Sequence, residues 1–169
     1  MLIRNFMTKN VVTIDADDSM PKAIQLLKQH KINMIPVTAQ GKLVGVISDR
    51  DLKKASPSEA TDLDTHELKY LLNKIKIKDI MSSRVITVSP DYTIEETAEV
   101  LMNADISGAP VVNEQGQMEG IITSTDLYKA LIALSGLGHR GIQFAFQIED
   151  RPGSIKELTD IIRTAGGRI

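Results

Sequence analysis

Two short motifs of the same form contain the residues best suited to chemistry in this chain. Ser48 and Asp51 stand three residues apart, as do Thr123 and Asp126. A hydroxyl three residues before an acidic residue commonly caps a helix, and an acidic group in the first turn suits the helix dipole. The same geometry can bind a ligand, because N–H groups at a helix start attract phosphate and a carboxylate accepts hydrogen bonds from paired hydroxyls. The motifs alone leave both interpretations open.

Other kinds of site have little support. The 169 residues include no cysteine, which excludes disulfides, thiolate metal sites and cysteine nucleophiles. His30, His66 and His139 share no metal-ligand spacing, and no serine, histidine and aspartate set indicates a nucleophile. Residues 136–141 spell GxGxxG, but they follow a predicted helix and precede a predicted strand, whereas a dinucleotide loop needs the opposite order. We therefore expect no enzyme activity, no bound metal and no required cofactor.

The charge and hydropathy of the chain limit which binding partners and which location we expect. The chain has 20 basic and 22 acidic residues and a net charge of -2, so nothing in its charge indicates binding to nucleic acid or to an anionic membrane. No apolar run reaches membrane-spanning length, and the N-terminal residues lack a signal-peptide core. A cytoplasmic location is the resulting expectation.

An internal repeat organises the chain. Residues 3–55, the first copy, match residues 77–130, the second copy, at an offset of 74, which becomes 75 after one extra residue in a turn of the second copy. The matching pairs include Met7 with Met81, Thr13 with Thr87, Asp17 with Asp91, Leu27 with Leu101, Pro36 with Pro110, Gly45 with Gly120, Ile47 with Ile122, Asp51 with Asp126 and Leu52 with Leu127.

Each copy shows the element order β-α-β-β-α, which predicts an α/β fold. A short strand over 11–14 or 85–88 precedes a helix, which opens in the second copy with a capping-box pattern at Thr93 and Glu96. Two apolar strands joined by a turn follow, and the last helix begins near the acidic residue of each motif. One copy has too small an interior to be stable alone, so we expect the two to pack as one body.

A linker and a tail complete the predicted organisation. Leu68, Leu71 and Leu72 indicate a short amphipathic helix in the linker, after a break at Ser56-Pro57-Ser58. The predicted boundaries are 1–55 for the first unit, 56–76 for the linker, 77–135 for the second unit, 136–140 for a second linker and 141–169 for the tail.

The two copies resemble CBS (cystathionine beta-synthase-type) domains, whose tandem pair is called a Bateman module. Residues 31–37 and 45–52 carry the resemblance in the first copy, and residues 85–90, 106–112 and 120–127 carry it in the second. It implies two units packed with pseudo-two-fold symmetry. It also implies clefts between them that bind AMP, ADP, ATP or S-adenosylmethionine, with the hydroxyl-x-x-Asp motif holding the ribose.

The resemblance further implies which residues meet in each cleft. One cleft combines Thr123 and Asp126 with Asn10, Val12, Ile32, Asn33 and Met34. Arg50 is either a phosphate contact of this cleft or a solvated surface residue, and Met34 is alternatively a core residue. The other combines Ser48 and Asp51 with Arg84, Ile86, Ile106, Ser107 and Gly108. The backbone of Val12 and Asn33 is expected to face adenine. Both copies lack the basic residue that the family carries just before the buried strand, which argues against tight di- or triphosphate binding.

The tail resembles the first strand and helix of an ACT domain, a small ferredoxin-like regulatory module. Residues 141–148 alternate as a strand does, 151–154 read as a turn, and the following helix has an apolar face. That face is formed by Ile155, Leu158, Ile161 and Ile162. A CBS pair followed by part of an ACT module resembles the bacterial acetoin-utilisation family.

These features together predict a regulatory sensor of an adenine nucleotide or S-adenosylmethionine. Ligand binding would tighten the pair and act on the ACT segment or on an unidentified regulated protein. Apolar helical stripes that one chain cannot cover predict a homodimer. The alternative is a dimerisation module whose clefts stay empty.

Overall fold

The computed structural model describes residues 1–56, 65–134 and 146–167, with the backbone alone for residues 65–69. The chain divides into two compact units, Met1–Ile132 and Ala133–Ile169, and the first contains both copies of the repeat. The GxGxxG run at 136–141 and most of the strand predicted for the tail lie outside the described residues.

The first copy forms a three-stranded sheet with helices. Its elements are β1 (Ile14–Asp15), α1 (Met20–His30), β2 (Met34–Ala39), β3 (Lys42–Ser48) and α2 (Asp49–Ala55), after a 3-10 helix at Ile3–Asn5. β2 is the central strand, parallel to β1 and antiparallel to β3. α1 buries Met20, Ala23 and Leu27, whose spacing puts them on one helical face.

The second copy follows a similar order after the linker, but among the described residues its sheet has two strands and no counterpart of β1. Its elements are α4 (Ile77–Ile80), α5 (Ile94–Asn103), β4 (Gly108–Val112), β5 (Met118–Thr123) and α6 (Ser124–Leu134), and the linker forms α3 (Thr65–Lys74). α3 confirms the predicted linker helix: Leu72 packs against the core of the first copy, while Leu71 is exposed. The side chain of Leu68 lies outside the described residues.

The predicted capping box at the start of α5 is confirmed. The Thr93 hydroxyl accepts the N–H of Glu96 at 3.1 Å, and the Glu96 carboxylate accepts the N–H of Thr93 at 2.7 Å. Two N–H groups without partners in the helix are thereby satisfied. The hydrogen bond from the Thr93 backbone also holds the pKa of Glu96 below its ordinary value.

The two hairpins share one register, which confirms the repeat in three dimensions. Pro36 faces Val46 across β2 and β3, and Pro110 faces Ile121 across β4 and β5. Both prolines are less than 2% exposed. The predicted extra residue lies in the second turn. The first turn needs only Gln40 and Gly41, both with positive φ (51° and 77°), as two-residue hairpins require.

The opening segment of each copy packs into the core of the other copy. The N–H of Ile3 donates to the carbonyl of Tyr92 at 2.9 Å, and the Ile3 side chain is fully buried in the core of the second copy. Ile77, 74 residues later, is fully buried in the core of the first copy, and its N–H donates to the carbonyl of Asp18 at 3.0 Å. The exchange joins the two copies into one body.

This exchange explains why the first strand of each copy is shorter than predicted. A strand over 11–14 is wrong, since β1 contains Ile14–Asp15 alone. In place of a strand over 85–88, Val88 alone forms a bridge, to Val111. The preceding residues are bound elsewhere: Thr8 bridges to Ile121 of β5, and Ser82 to Val46 of β3. Residues 9–13 and 83–87, here called the crossing segments, must therefore pass from one copy to the other.

The second unit contains the predicted tail helix. α7 (Ser154–Thr164) begins after Gly153, whose φ is 94°, and buries no residue. Ile155 and Ile161 are 70% and 66% exposed, whereas Leu158 and Ile162 are half-buried, so part of its apolar face is open within the described chain. Residues 146–148, the described part of the predicted tail strand, have no regular secondary structure.

Candidate functional site

The motif at Ser48 and Asp51 joins the end of β3 to the start of α2. Asp51 Oδ2 accepts the N–H of Ser48 at 2.9 Å and its hydroxyl at 2.5 Å. The Ser48 hydroxyl in turn accepts the N–H of Asp51 at 3.3 Å. The capping interpretation is therefore confirmed for this motif, and the side chain of Asp51 is held in one orientation.

The motif at Thr123 and Asp126 joins β5 to α6 in the same way. Asp126 Oδ2 accepts the N–H of Thr123 at 3.1 Å and its hydroxyl at 2.7 Å. Asp126 is 8% exposed, and its other oxygen, Oδ1, lies 3.3 Å from Nζ of Lys129. Both motifs thus hold Oδ2 of their aspartate in the same way, and among the described residues a lysine lies beside Oδ1 of Asp126 but not beside Asp51.

In each motif the hydrogen bonds to the hydroxyl residue use only one of the two carboxylate oxygens. Oδ2 of Asp51 and of Asp126 already accepts two hydrogen bonds from the protein, which uses the two acceptor positions of a carboxylate oxygen. Oδ1 of Asp51 accepts none from residues 1–56, 65–134 or 146–167. The capping contacts therefore fix each carboxylate through Oδ2. Oδ1 of Asp51 is left as an acceptor for a hydroxyl of another molecule, whereas Oδ1 of Asp126 already accepts from Nζ of Lys129 at 3.3 Å.

The crossing segments supply unused backbone groups. No hydrogen bond joins the backbone of Val12 or of Ile86 to any other part of the chain that the structure describes. Val12 is half-buried, and Ile86 is 37% exposed. Free N–H and C=O groups beside apolar side chains suit the edge of a flat heterocycle. Asn10 and Arg84, on the same segments, are exposed.

The turns that lead into β2 and β4 are built alike. Lys31 and Asp105 adopt left-handed conformations with φ of 52° and 51°. The N–H groups of Ile32 and Ile106 then each donate to the carbonyl of the leucine five residues earlier, at 3.0 Å. Both isoleucines are half-buried, so each turn has a partly apolar surface.

The backbone after each isoleucine is partly occupied. The carbonyl of Asn33 accepts the N–H of Asp49 at 3.1 Å, and that of Ser107 accepts the N–H of Ser124 at 2.9 Å. Asn33 was expected to offer its backbone to adenine, and these bonds leave its N–H for that role. Both side chains, Asn33 and Ser107, are exposed.

A direct contact joins the candidate residues of the two copies. Met34 begins β2, and Gly108 begins β4 opposite Thr123. The methyl group of Met34 lies 3.3 Å from the position that a Cβ on Gly108 would take, and the nearest atom to that position is the carbonyl oxygen of Ile122 at 2.9 Å. A side chain at Gly108 would therefore meet first the β5 backbone and Thr123 of its own copy and then Met34 of the other, and Met34 lies close to the Thr123 motif.

Two features of the site were missed in the sequence. The first is the contact of Lys129 with Asp126, for which the match of Lys54 with Lys129 at the offset of 75 was the available signal. The second is a surface depression beside α2, where the predicted phosphate contact Arg50 is exposed. That depression is lined by Asp49, Arg50, Lys53 and Lys54.

Two kinds of feature are absent from the residues that the structure describes. No three histidine, aspartate or glutamate side chains gather as metal ligands would, and no helix has the length and apolarity that a membrane crossing needs. What the site offers instead is hydrogen-bond acceptors, free backbone groups and apolar contacts.

Comparisons with known proteins agree with this architecture. An uncharacterized protein of Methanocaldococcus jannaschii, MJ1426, is 33% identical over 156 residues, which cover 78% of this chain and 92% of that protein. The CBS domain pair of MJ0100, solved in complex with 5′-methylthioadenosine and S-adenosyl-L-methionine, is 30% identical, with a TM-score of 0.65 over 79% of this chain and 98% of that one.

Two further structures extend the comparison. CBSX2 in complex with AMP is 28% identical, with a TM-score of 0.64 over 79% of this chain and 97% of that one. AcuB of Vibrio cholerae shares the fold over 85% of this chain and 98% of its own, with a TM-score of 0.68 and 24% identity. The similarity to AcuB supports the fold that the resemblance to the acetoin-utilisation family implies. No comparison shows an ACT domain after the pair.

The family profile for the CBS domain matches the chain twice, over residues 3–58 and 77–133. These ranges coincide closely with the two copies of the repeat and with the two hairpins of matching register. CBS pairs are generally regulatory rather than catalytic modules. The chain belongs to the CBS-domain family and contains a tandem pair of its domains.

Proposed function

We propose that this chain is a regulatory sensor that binds an adenosine-containing ligand in clefts between the two CBS domains. The class includes AMP, ADP, ATP, S-adenosylmethionine and 5′-methylthioadenosine. The observation that carries the proposal is the pair of oriented carboxylates: Asp51 and Asp126 are both held by hydrogen bonds to Oδ2, and neither uses Oδ1 in its motif.

The chemistry of the site matches the parts of such a ligand. Ribose carries two neighbouring hydroxyls, and a carboxylate oxygen can accept from both. The unpaired backbone of Val12 and of Ile86 can pair with the polar edge of adenine, and Met34 offers an apolar, polarizable surface for its face. The similar pairs solved with AMP or with S-adenosylmethionine support this choice of class.

A ligand in these clefts would bind to both copies at once. In one cleft Asp126 belongs to the second copy and Met34 to the first, while Val12 lies on a crossing segment. Such a ligand favours the arrangement in which all three positions are close, and this differential affinity is what shifts a conformational equilibrium. The sensor role follows from that coupling, with an unidentified protein or the tail as the recipient of the change.

Ligand-induced thermal stabilisation tests the proposal. The wild-type protein is heated with AMP, ATP, S-adenosylmethionine or 5′-methylthioadenosine, and at least one ligand is expected to raise the melting temperature with its concentration. Asp51→Asn and Asp126→Asn each reduce that rise. Asp79→Asn is the control, because Asp79 is exposed and belongs to neither motif. The absence of a rise with every ligand would overturn the proposal.

A second candidate function is a dimerisation module without ligand. Three large apolar side chains on α5 and α6 favour it: Met102, Tyr128 and Leu131 are 80%, 64% and 63% exposed. Large exposed apolar residues on two helices of the second copy indicate a surface that another molecule covers. Sedimentation equilibrium of the wild type and of Leu131→Asp distinguishes the candidates, since this one predicts a dimer that Leu131→Asp dissociates and no thermal shift with any ligand.

Three finer predictions remain part of the proposal. Assembly as a homodimer is compatible with the sensor role as well as with the second candidate. The relation of the tail to an ACT domain is supported by α7, which lies where the helix was predicted. A cytoplasmic location also stays a prediction.

A further inference from the structure

The two motifs carry a lysine at the same position, and it pairs in only one of them. Lys54 and Lys129 each follow the aspartate of their motif by three residues. Nζ of Lys129 lies 3.3 Å from Oδ1 of Asp126. Lys54 forms no ion pair with Asp51, although both residues are described. The oxygen that remains for a ligand is therefore open at Asp51 and occupied by a cation at Asp126.

The helices around the two lysines account for this difference. α2 ends at Ala55, so Lys54 lies in its last turn, where the free carbonyl groups attract a cation. α6 continues to Leu134, so Lys129 lies in the middle of a helix, where its own backbone offers no such attraction. The Asp126 carboxylate is also only 11% exposed, against 70% for the lysine, so it has little water to replace the ammonium.

We propose that Lys129 sets the affinity of the Asp126 cleft by occupying the carboxylate oxygen that a ribose hydroxyl would use. The inference rests on the proposed function and adds a residue that distinguishes the two clefts. An incoming hydroxyl must displace the ammonium from Oδ1 or share the oxygen with it, and part of the hydrogen-bond energy is lost either way. Lys129 acts through Asp126 and is thus a positioning residue.

The expected effect is modest, because Lys129 is largely exposed. Ion pairs with an exposed partner contribute little, and removing this one should tighten ligand binding by about two- to fivefold. Calorimetry resolves a change of this size when one cleft is observed alone. Asp51→Asn provides that background, since it weakens the other cleft.

The experiment titrates 5′-methylthioadenosine, which carries no phosphate that could itself attract Lys129. In the Asp51→Asn background, Lys129→Met is expected to lower the Kd about two- to fivefold, and Lys129→Arg, which keeps the cation, is expected to retain the original Kd. Lys42→Met in the same Asp51→Asn background is the control, because Lys42 is exposed and belongs to neither motif, and it leaves the Kd unchanged. High salt, at which the Debye length falls to about 3 Å, should remove most of the gain from Lys129→Met.

The results separate this inference from the function on which it rests. A Lys129→Met protein that binds no tighter, or more weakly, overturns the role of Lys129 while ligand binding itself stands. An Asp51→Asn protein with no binding at all contradicts a functional Asp126 cleft and overturns the inference with it. A wild-type protein that binds no adenosine-containing ligand overturns the proposed function. Melting temperatures of all variants verify that each is folded.

Discussion

The sulfur of Met7 packs against Gly120 so closely that a Cβ added to the glycine would stand 2.8 Å from it. Met7 belongs to the first copy and Gly120 to β5 of the second. The contact therefore holds the opening segment of the first copy against the sheet of the second. The carbonyl oxygen of Thr8 is equally near, at 2.9 Å from the same position. A side chain at 120 would thus meet backbone as well as a flexible side chain.

Gly120→Ala is expected to lower the free energy of unfolding by about 1–3 kcal/mol, because overpacking forces the neighbouring backbone to shift. Urea denaturation measures this change. Met7→Ala should relieve little of it, since Thr8 remains in place. Gly45 is the matching position in the first copy, and all three atoms nearest to an added Cβ there belong to the Met81 side chain. Met81→Ala should therefore rescue Gly45→Ala more fully than Met7→Ala rescues Gly120→Ala. Equal rescue at both positions would contradict this explanation.

The opening segments, each packed in the core of the other copy, should contribute strongly to the free energy of unfolding. Ile3→Ala or Ile77→Ala removes a fully buried side chain and is expected to lower the free energy of unfolding by about 2–5 kcal/mol. Ile155→Ala is the control, because a side chain that is 70% exposed should matter by no more than about 0.5 kcal/mol. If Ile3→Ala is as mild as the control, the segment does not dock in the core of the second copy.

Glu96 should add a pH-dependent part to the stability. Its folded-state pKa is lowered, first by the hydrogen bond from the Thr93 backbone, from an ordinary value of 4.5. A group of this kind stabilises the fold above its unfolded pKa, and the contribution is lost as the pH falls through the lower folded pKa. Glu96→Gln should therefore lower the melting temperature at neutral pH, and the difference should close in acid. Glu95→Gln is the control, and a difference independent of pH would contradict the assignment.

Much of the fold could be predicted because it depends on local patterns that occur twice. The offset between Pro36 and Pro110 predicted the shared hairpin register, and the residues at Thr93 and Glu96 predicted a helix start. The short first strands could not be predicted in this way. Residues 11–14 are all β-branched whether they pair in a sheet or cross between copies, and the contacts that decide between these outcomes, such as that of Thr8 with Ile121, join residues far apart in sequence.

The candidate site was predicted less completely than the fold. The spacing of Ser48 and Asp51 predicted the cap, but it could not show which carboxylate oxygen the cap uses. Lys129 and Lys54 match in sequence, yet one pairs with its aspartate and the other does not, because α6 continues past its lysine and α2 ends beside its own. Helix length is a tertiary outcome that the motif does not contain.

The stability and the ligand affinity of an Asp51→Ala variant together distinguish capping from ligand contact. Asp51→Ala removes a helix cap and should cost about 1 kcal/mol of folding free energy, as cap losses do. If Asp51 also binds ligand, affinity falls in addition by about 1.5–3 kcal/mol for each hydrogen bond lost from the charged group. Melting temperature and affinity are measured on the same preparation. A loss of stability with unchanged affinity would leave capping as the whole role of Asp51.

Calorimetric titration of the wild type beside the Asp51→Asn/Asp126→Asn double variant tests the central claim most directly. An asparagine can keep its oxygen towards the cap and place an amide donor where Oδ1 stood, so the fold is retained while the acceptor for ribose is lost. The account predicts saturable binding of an adenosine-containing ligand to the wild type and its loss, by about tenfold or more in affinity, in the double variant. Equal affinity of the two proteins would contradict it.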